Sequence, residues 1–129
     1  MNNDVTDRSR ISNREWIGVD LDGTAAEWHG WQPEIGKPIP KMIAKIQAAL
    51  ESGMIVKIMT ARVWGGNQTH DQVEQQRKLI QDWCLKHIGV VLEVTNQKDW
   101  YMVELWDDRA RQVVENTGMF LEEFLTEAA

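Results

Sequence analysis

Trp16-Ile17-Gly18-Val19-Asp20-Leu21-Asp22-Gly23-Thr24 decides the fold of this chain. The first four residues carry no polar side chain, which is the pattern of a strand buried on both faces. Asp20 and Asp22 follow two residues apart, so at the tip of an extended strand both carboxylates point into one site. Gly23 lets the backbone turn tightly there, and Thr24 can cap the next segment. The plainer reading of the same residues is an acidic turn that closes a strand.

Working outward, apolar periodicity alternates between strand and helix. Glu15 to Asp20 reads as the first strand. Met42, Ile43, Ile46, Ala49 and Leu50 recur at helical spacing after Pro38-Ile39-Pro40, and Gly53 ends that helix. Met54 to Met59 forms a second apolar run that stops at Thr60, and Arg62 to Gln68 is a loop. Thr69 with Gln72 makes a capping box for a helix whose face carries Val73, Arg77, Ile80, Cys84 and Ile88. Val90 to Thr95 and Met102 to Trp106 predict two more strands, Gln112 to Val114 an edge strand, and Phe120 to Leu125 a closing amphipathic helix. Strands alternating with helices predict an α/β fold, a Rossmann-like parallel sheet covered by helices on both faces. Ligands of such sheets bind beyond the carboxyl ends of the strands, where Asp20, Thr60 and Asp107-Asp108 all fall.

Composition bounds the rest. A chain of 129 residues with 43% apolar and 26% charged residues suits one soluble domain, read as residues 15–129 behind a loose polar tail over 1–14. The net charge of -6 opposes a long nucleic-acid backbone. No apolar run approaches a membrane span and no hydrophobic signal segment opens the chain, so no membrane partner and a cytoplasmic location are expected. The single cysteine, Cys84, forbids an internal disulfide and sits between Trp83 and Leu85 as a packed, inert thiol. Seven tryptophans are unusual. Trp16, Trp83 and Trp106 fit a core, whereas Trp28, Trp31 and Trp64 fall in loops.

Asp20, Asp22, Asp107 and Asp108 would crowd one rim. Two bare carboxylates about 4 Å apart repel by roughly 4 kcal/mol at an effective dielectric near 20. Such a cluster calls for a cation or raised pKa values, and oxygen-only ligation suits magnesium. His29, His70 and His87 are scattered and the cysteine is alone, so nothing resembles a zinc site.

Asp20-Leu21-Asp22-Gly23-Thr24 resembles the first signature of the haloacid dehalogenase (HAD) superfamily, most of whose members are phosphatases. Thr60 matches the second signature, Lys98 stands where the third is expected, and Asp107-Asp108 matches the fourth. The resemblance implies that Asp20 is a nucleophile forming an aspartyl-phosphate. Asp22 would be the general acid and base, with a raised pKa. Thr60 would hydrogen-bond a phosphoryl oxygen, and Lys98 would offset its charge. It also implies a magnesium ion held by Asp20, the Asp22 carbonyl and Asp108, with Asp107 acting directly or through water. Only nine positions separate Lys98 from Asp107, too few for the family's usual helix, and an exposed loop lysine is the alternative. Thr60-Ala61-Arg62 and Asp107-Asp108-Arg109 are similar to segments of polynucleotide kinase phosphatase domains. That places Arg62 either on the substrate phosphate or in a plain salt bridge, with Arg109 bracing the acidic pair. The layout resembles small capless hydrolases of phage genomes.

Family caps are inserted after the first or the second signature, and neither 25–52 nor 61–97 has room for one. The expected site is therefore open, with Gly23, Thr24, Arg62, Trp28 and Trp64 on the substrate side. The loop tryptophans either stack on a base, or pin their loops, or bury themselves where two copies pair as a homodimer. The expected function is a magnesium-dependent phosphomonoesterase acting on a phosphorylated substrate, a nucleotide or nucleic-acid 3′-phosphate being favoured. A phosphate- and magnesium-binding module without turnover, and a phosphotransferase, are the alternatives.

Overall fold

The computed structural model describes residues 14–128; most of the segment read as an N-terminal tail lies outside them. Four strands, β1 (Trp16–Val19), β2 (Ile55–Met59), β3 (Val94–Thr95) and β4 (Met102–Trp106), form one sheet in the order β3-β2-β1-β4. All three pairings are parallel. Helices α1 (Pro40–Glu51) and α2 (His70–His87) link β1 to β2 and β2 to β3, and α3 (Leu121–Ala128) follows the sheet. The fold is α/β, with a Rossmann-like arrangement.

Why these residues form these elements is largely local. Pro40 opens α1, where its missing N–H costs nothing, and Gly53 at φ +92° lets the chain turn back into β2. At α2 both bonds of the capping box form: Thr69 Oγ1 accepts from the Gln72 N–H, and Gln72 Oε1 accepts from the Thr69 N–H. All four β1 residues are buried, as the unbroken apolar run predicts for a central strand.

The two faces of the sheet are finished differently. The chain moves in one direction from β1 to β2 to β3, so right-handed crossovers place α1 and α2 on the same face. There Ile43, Ile46, Ile80 and Cys84 join Ile17, Val19, Val56 and Ile58 in one core. Burial pushes the Cys84 thiol up to about 12, consistent with a packed, inert side chain. The return from β3 to β4 runs the other way and contains no helix. It must cross three strand spacings, about 14 Å, and also run back along the sheet. Residues 96–101 accomplish this as an extended strap, in which Asp99 accepts the Trp16 indole N–H at 2.8 Å and the Tyr101 carbonyl accepts the Trp16 N–H. Helices α1 and α2 thus share one face, and the strap packs against Trp16. The six residues 96–101 between β3 and β4 leave no length for a helix plus its two loops.

Other expectations shift at the margins. Val90 and Val91 are exposed, and only Val94–Thr95 of the expected 90–95 strand pairs with β2. Val113 makes an isolated antiparallel bridge with Phe120 rather than an edge strand. Trp16 and Trp83 are buried, and Trp106 packs partly against the core. No helix among the described residues is long and apolar enough to cross a membrane.

Candidate functional site at the strand ends

Backbone hydrogen bonds align the carboxyl ends of the strands. The Asp20 N–H donates to the Trp106 carbonyl at 2.9 Å, tying the tip of β1 to that of β4. The Thr60 N–H donates to the Thr95 carbonyl at 2.8 Å, tying β2 to β3. Asp20, Thr60, Asp107 and Asp108 are thereby brought to one rim, as their positions in the sequence predict.

Behind Asp20 the chain closes tightly. The Leu21 carbonyl accepts from the N–H groups of Thr24, Ala25 and Ala26, and Gly23 sits at φ +88°. A β-carbon on Gly23 would lie 2.7 Å from Asp108 Oδ2, so glycine is required both by the turn and by the neighbouring carboxylate. Thr24, also buried, stands between the two arms of the site. Its Oγ1 lies 3.1 Å from Asp108 Oδ1 and 3.4 Å from Asp20 Oδ2, and it accepts the Asp108 N–H at 3.1 Å.

Asp20, Asp107 and Asp108 each present a carboxylate oxygen within 4.8 Å of the others. Burial pushes the Asp20 carboxyl up to about 7, helped by its hydrogen bond with Asp108 and by the charges of Asp107 and Asp108. Together the three carboxylates could hold a metal ion, for which hard oxygen donors suit magnesium.

Asp22 points elsewhere. Both of its oxygens accept from Arg62, from Nε at 2.8 Å and Nη2 at 2.9 Å, in a bidentate fork. Arg62 is only 6% exposed. It also donates to the carbonyls of Pro33 and Gln32, and the Trp31 ring lies 4.9 Å from its guanidinium carbon. Of the two roles open to Arg62 in the sequence, the salt bridge is the one formed: it clamps the 31–33 loop onto Asp22. Its own N–H donates to Thr60 Oγ1, so Thr60 caps the short helical turn Ala61–Val63.

These residues floor an open cleft of about 1090 Å³. Trp28, Trp31 and Trp64 rise around it, as the loop positions predict. Arg109 also lines it, 5.6 Å from the Trp28 ring, while its N–H is taken by Asp107 Oδ1. Lys98 does not line it; it lies exposed on the strap, two residues beyond Asn96, which does. Sequence reading missed the opposite wall, where α2 presents Gln72, Gln75 and Gln76. The i, i+3, i+4 spacing of those glutamines was the available signal.

A solved structure with a similar fold, that of a conserved protein from Bacteroides thetaiotaomicron, is 18% identical in sequence, with a TM-score of 0.50, over 88% of this chain and 91% of the other. At that identity the likeness shows the fold alone. No protein-family description and no curated protein matches the chain.

Proposed function

We propose that this chain is a magnesium-dependent phosphomonoester hydrolase of the HAD type. The observation that carries the reading is the convergence of Asp20, Asp107 and Asp108 within 4.8 Å at the carboxyl ends of β1 and β4. The resemblance of Asp20-Leu21-Asp22-Gly23-Thr24 to the family's first signature gives these carboxylates their roles.

In this reading an Asp20 oxygen attacks phosphorus and the ester P–O bond breaks, leaving an aspartyl-phosphate. The departing oxygen takes a proton from Asp22. A water then gives a proton to Asp22 and attacks phosphorus, the Asp20–phosphorus bond breaks, and inorganic phosphate leaves. Both Asp22 oxygens accept from Arg62, so each proton transfer exchanges one of those hydrogen bonds for the substrate oxygen or the water. Arg62 is a positioning residue here, and Thr24 holds Asp20 and Asp108 in relation to one another. The carboxylates of Asp20, Asp107 and Asp108, with the Asp22 carbonyl, would hold the ion, which supplies charge neutralisation for the transferring phosphoryl group.

A second reading, phosphate and metal binding without turnover, is favoured by the exposed position of Lys98 and by the Arg62–Asp22 pair. Hydrolysis of para-nitrophenyl phosphate with magnesium and with chelator, beside Asp20→Asn, separates the two. Magnesium-dependent release that the variant loses is expected. A folded protein that binds magnesium by calorimetry yet releases nothing from this or any other phosphomonoester would end the phosphatase reading.

A further inference from the structure

The cleft is much larger than an acid cluster and one phosphate require, since whole small-molecule sites usually occupy about 300–1000 Å³. Its remaining walls are of one chemical kind. Three indole rings and a row of uncharged carboxamides line it together, and each ring has a supported face. Arg109 lies over Trp28 and Arg62 over Trp31. Trp64 is backed by the chain itself: a β-carbon on Gly66 would fall 2.0 Å from its ring, so that glycine's backbone lies against the indole. The Trp64 backbone is held in turn by the Gln68 carboxamide, which donates to its carbonyl at 2.6 Å. With 54% of Trp64 still exposed, the ring is a fixed platform with a free surface. Gln76 of α2 lines the same cleft, and its Oε1 is the one buried side-chain oxygen or nitrogen among the described residues that has no hydrogen-bond partner.

We infer that the phosphomonoester is a free mononucleotide, its phosphate at Asp20 and Thr60 and its base stacked on Trp64 against the Gln72, Gln75 and Gln76 row. This rests on the phosphatase reading and specifies its substrate. A heterocyclic base offers what these walls lack: a π face for the indole, and an edge of paired donors and acceptors for a carboxamide. The Gln pairing with adenine N6 and N7 is the best-known example of such an edge contact. The walls also argue against a nucleic-acid end. A polynucleotide needs a cationic track for its backbone. Among the described residues the cleft is lined by two cations, Arg62 and Arg109, and Arg62 is consumed by Asp22. The chain as a whole carries a net charge of -6.

The test compares adenosine monophosphate, glucose 6-phosphate and a 3′-phosphorylated ten-nucleotide strand as substrates for the wild-type protein and for Trp64→Ala. Adenosine monophosphate should have the highest kcat/KM, and Trp64→Ala should lower its selectivity over glucose 6-phosphate about tenfold, the size of one lost stacking contact. Gly66→Ala keeps the ring but drives it from its seat, and should reduce the same ratio. Equal losses for both small substrates, or preference for the sugar phosphate or for the strand, would overturn the inference. Binding of adenosine monophosphate to Asp20→Asn, followed by calorimetry with magnesium, is read separately from turnover. Binding weakened by adding Trp64→Ala supports the base site even if no substrate is hydrolysed, whereas no binding overturns it.

Discussion

The two ends of the cleft are built by opposite means. At the acidic end Asp20, Thr60, Asp107 and Asp108 are each the first or second residue past a strand, and hydrogen bonds between neighbouring strand tips align Asp20 and Thr60. The reach of each carboxylate is set by the register of the sheet, and Gly23 has no room for a side chain. At the far end the walls come from loops and from one face of α2, and their side chains are exposed or unpartnered. Rigid backbone ends carry the charge-bearing groups, whereas the surfaces suited to shape and stacking hang on segments that can vary without disturbing the sheet.

If the acidic end performs the chemistry, Asp20→Asn should show the largest effect, a loss of turnover of about a thousandfold or more with circular dichroism unchanged. Residual activity within tenfold of the wild type would move the reaction away from Asp20. Next in size, Arg62→Ala should destabilise the protein by about 3 kcal/mol in urea denaturation, because a buried cation and its fork to Asp22 are lost together. Arg62→Lys should recover only part of this, since an ammonium cannot bond both Asp22 oxygens and the loop carbonyls. A midpoint unchanged in both variants would mean that the clamp joins nothing of consequence.

A smaller effect concerns pH. The folded Asp20 carboxyl titrates at about 7 instead of 3.8 in the unfolded chain. Between about pH 4 and pH 7 the folded state therefore holds a proton that the unfolded state has released. Its stabilising contribution is complete below the unfolded value and is lost as pH rises through the folded one. The thermal midpoint measured with chelator should fall across this window, and magnesium should restore it at pH 8 in a concentration-dependent way. Parallel curves with and without magnesium would remove the cation from this end of the cleft. The smallest effect belongs to Lys98→Ala, which should alter kcat by no more than about twofold, as an exposed side chain outside the cleft requires. A hundredfold loss would instead bring the strap and its lysine into the site during turnover.

Legibility in the sequence divides along the same line. β1, α1, β2 and α2 were readable because apolar periodicity and local caps act within a few residues, and the Thr69–Gln72 box is a case in which both predicted bonds form. Val90 and Val91 read as strand by propensity, but both are exposed and neither pairs with β2, since strand propensity depends on what a residue packs against. Asp20, Thr60, Asp107 and Asp108 were legible as a site because strand tips in a parallel sheet share one rim. The partner of Arg62 was not, since a guanidinium suits a phosphate and an aspartate equally well, and forty positions separate it from Asp22.

By itself the sequence determined that this chain is an α/β protein with a parallel sheet and an acidic rim, because periodicity and strand-end position are local properties that survive in any packing. Only the tertiary structure decided that α1 and α2 share one face of the sheet while a strap returns the chain to β4, that Arg62 pairs with Asp22, that Lys98 does not line the cleft, and that three glutamines of α2 line it together with three tryptophans. Those outcomes depend on the direction in which the chain crosses the sheet and on which distant groups then meet, and no local pattern encodes either.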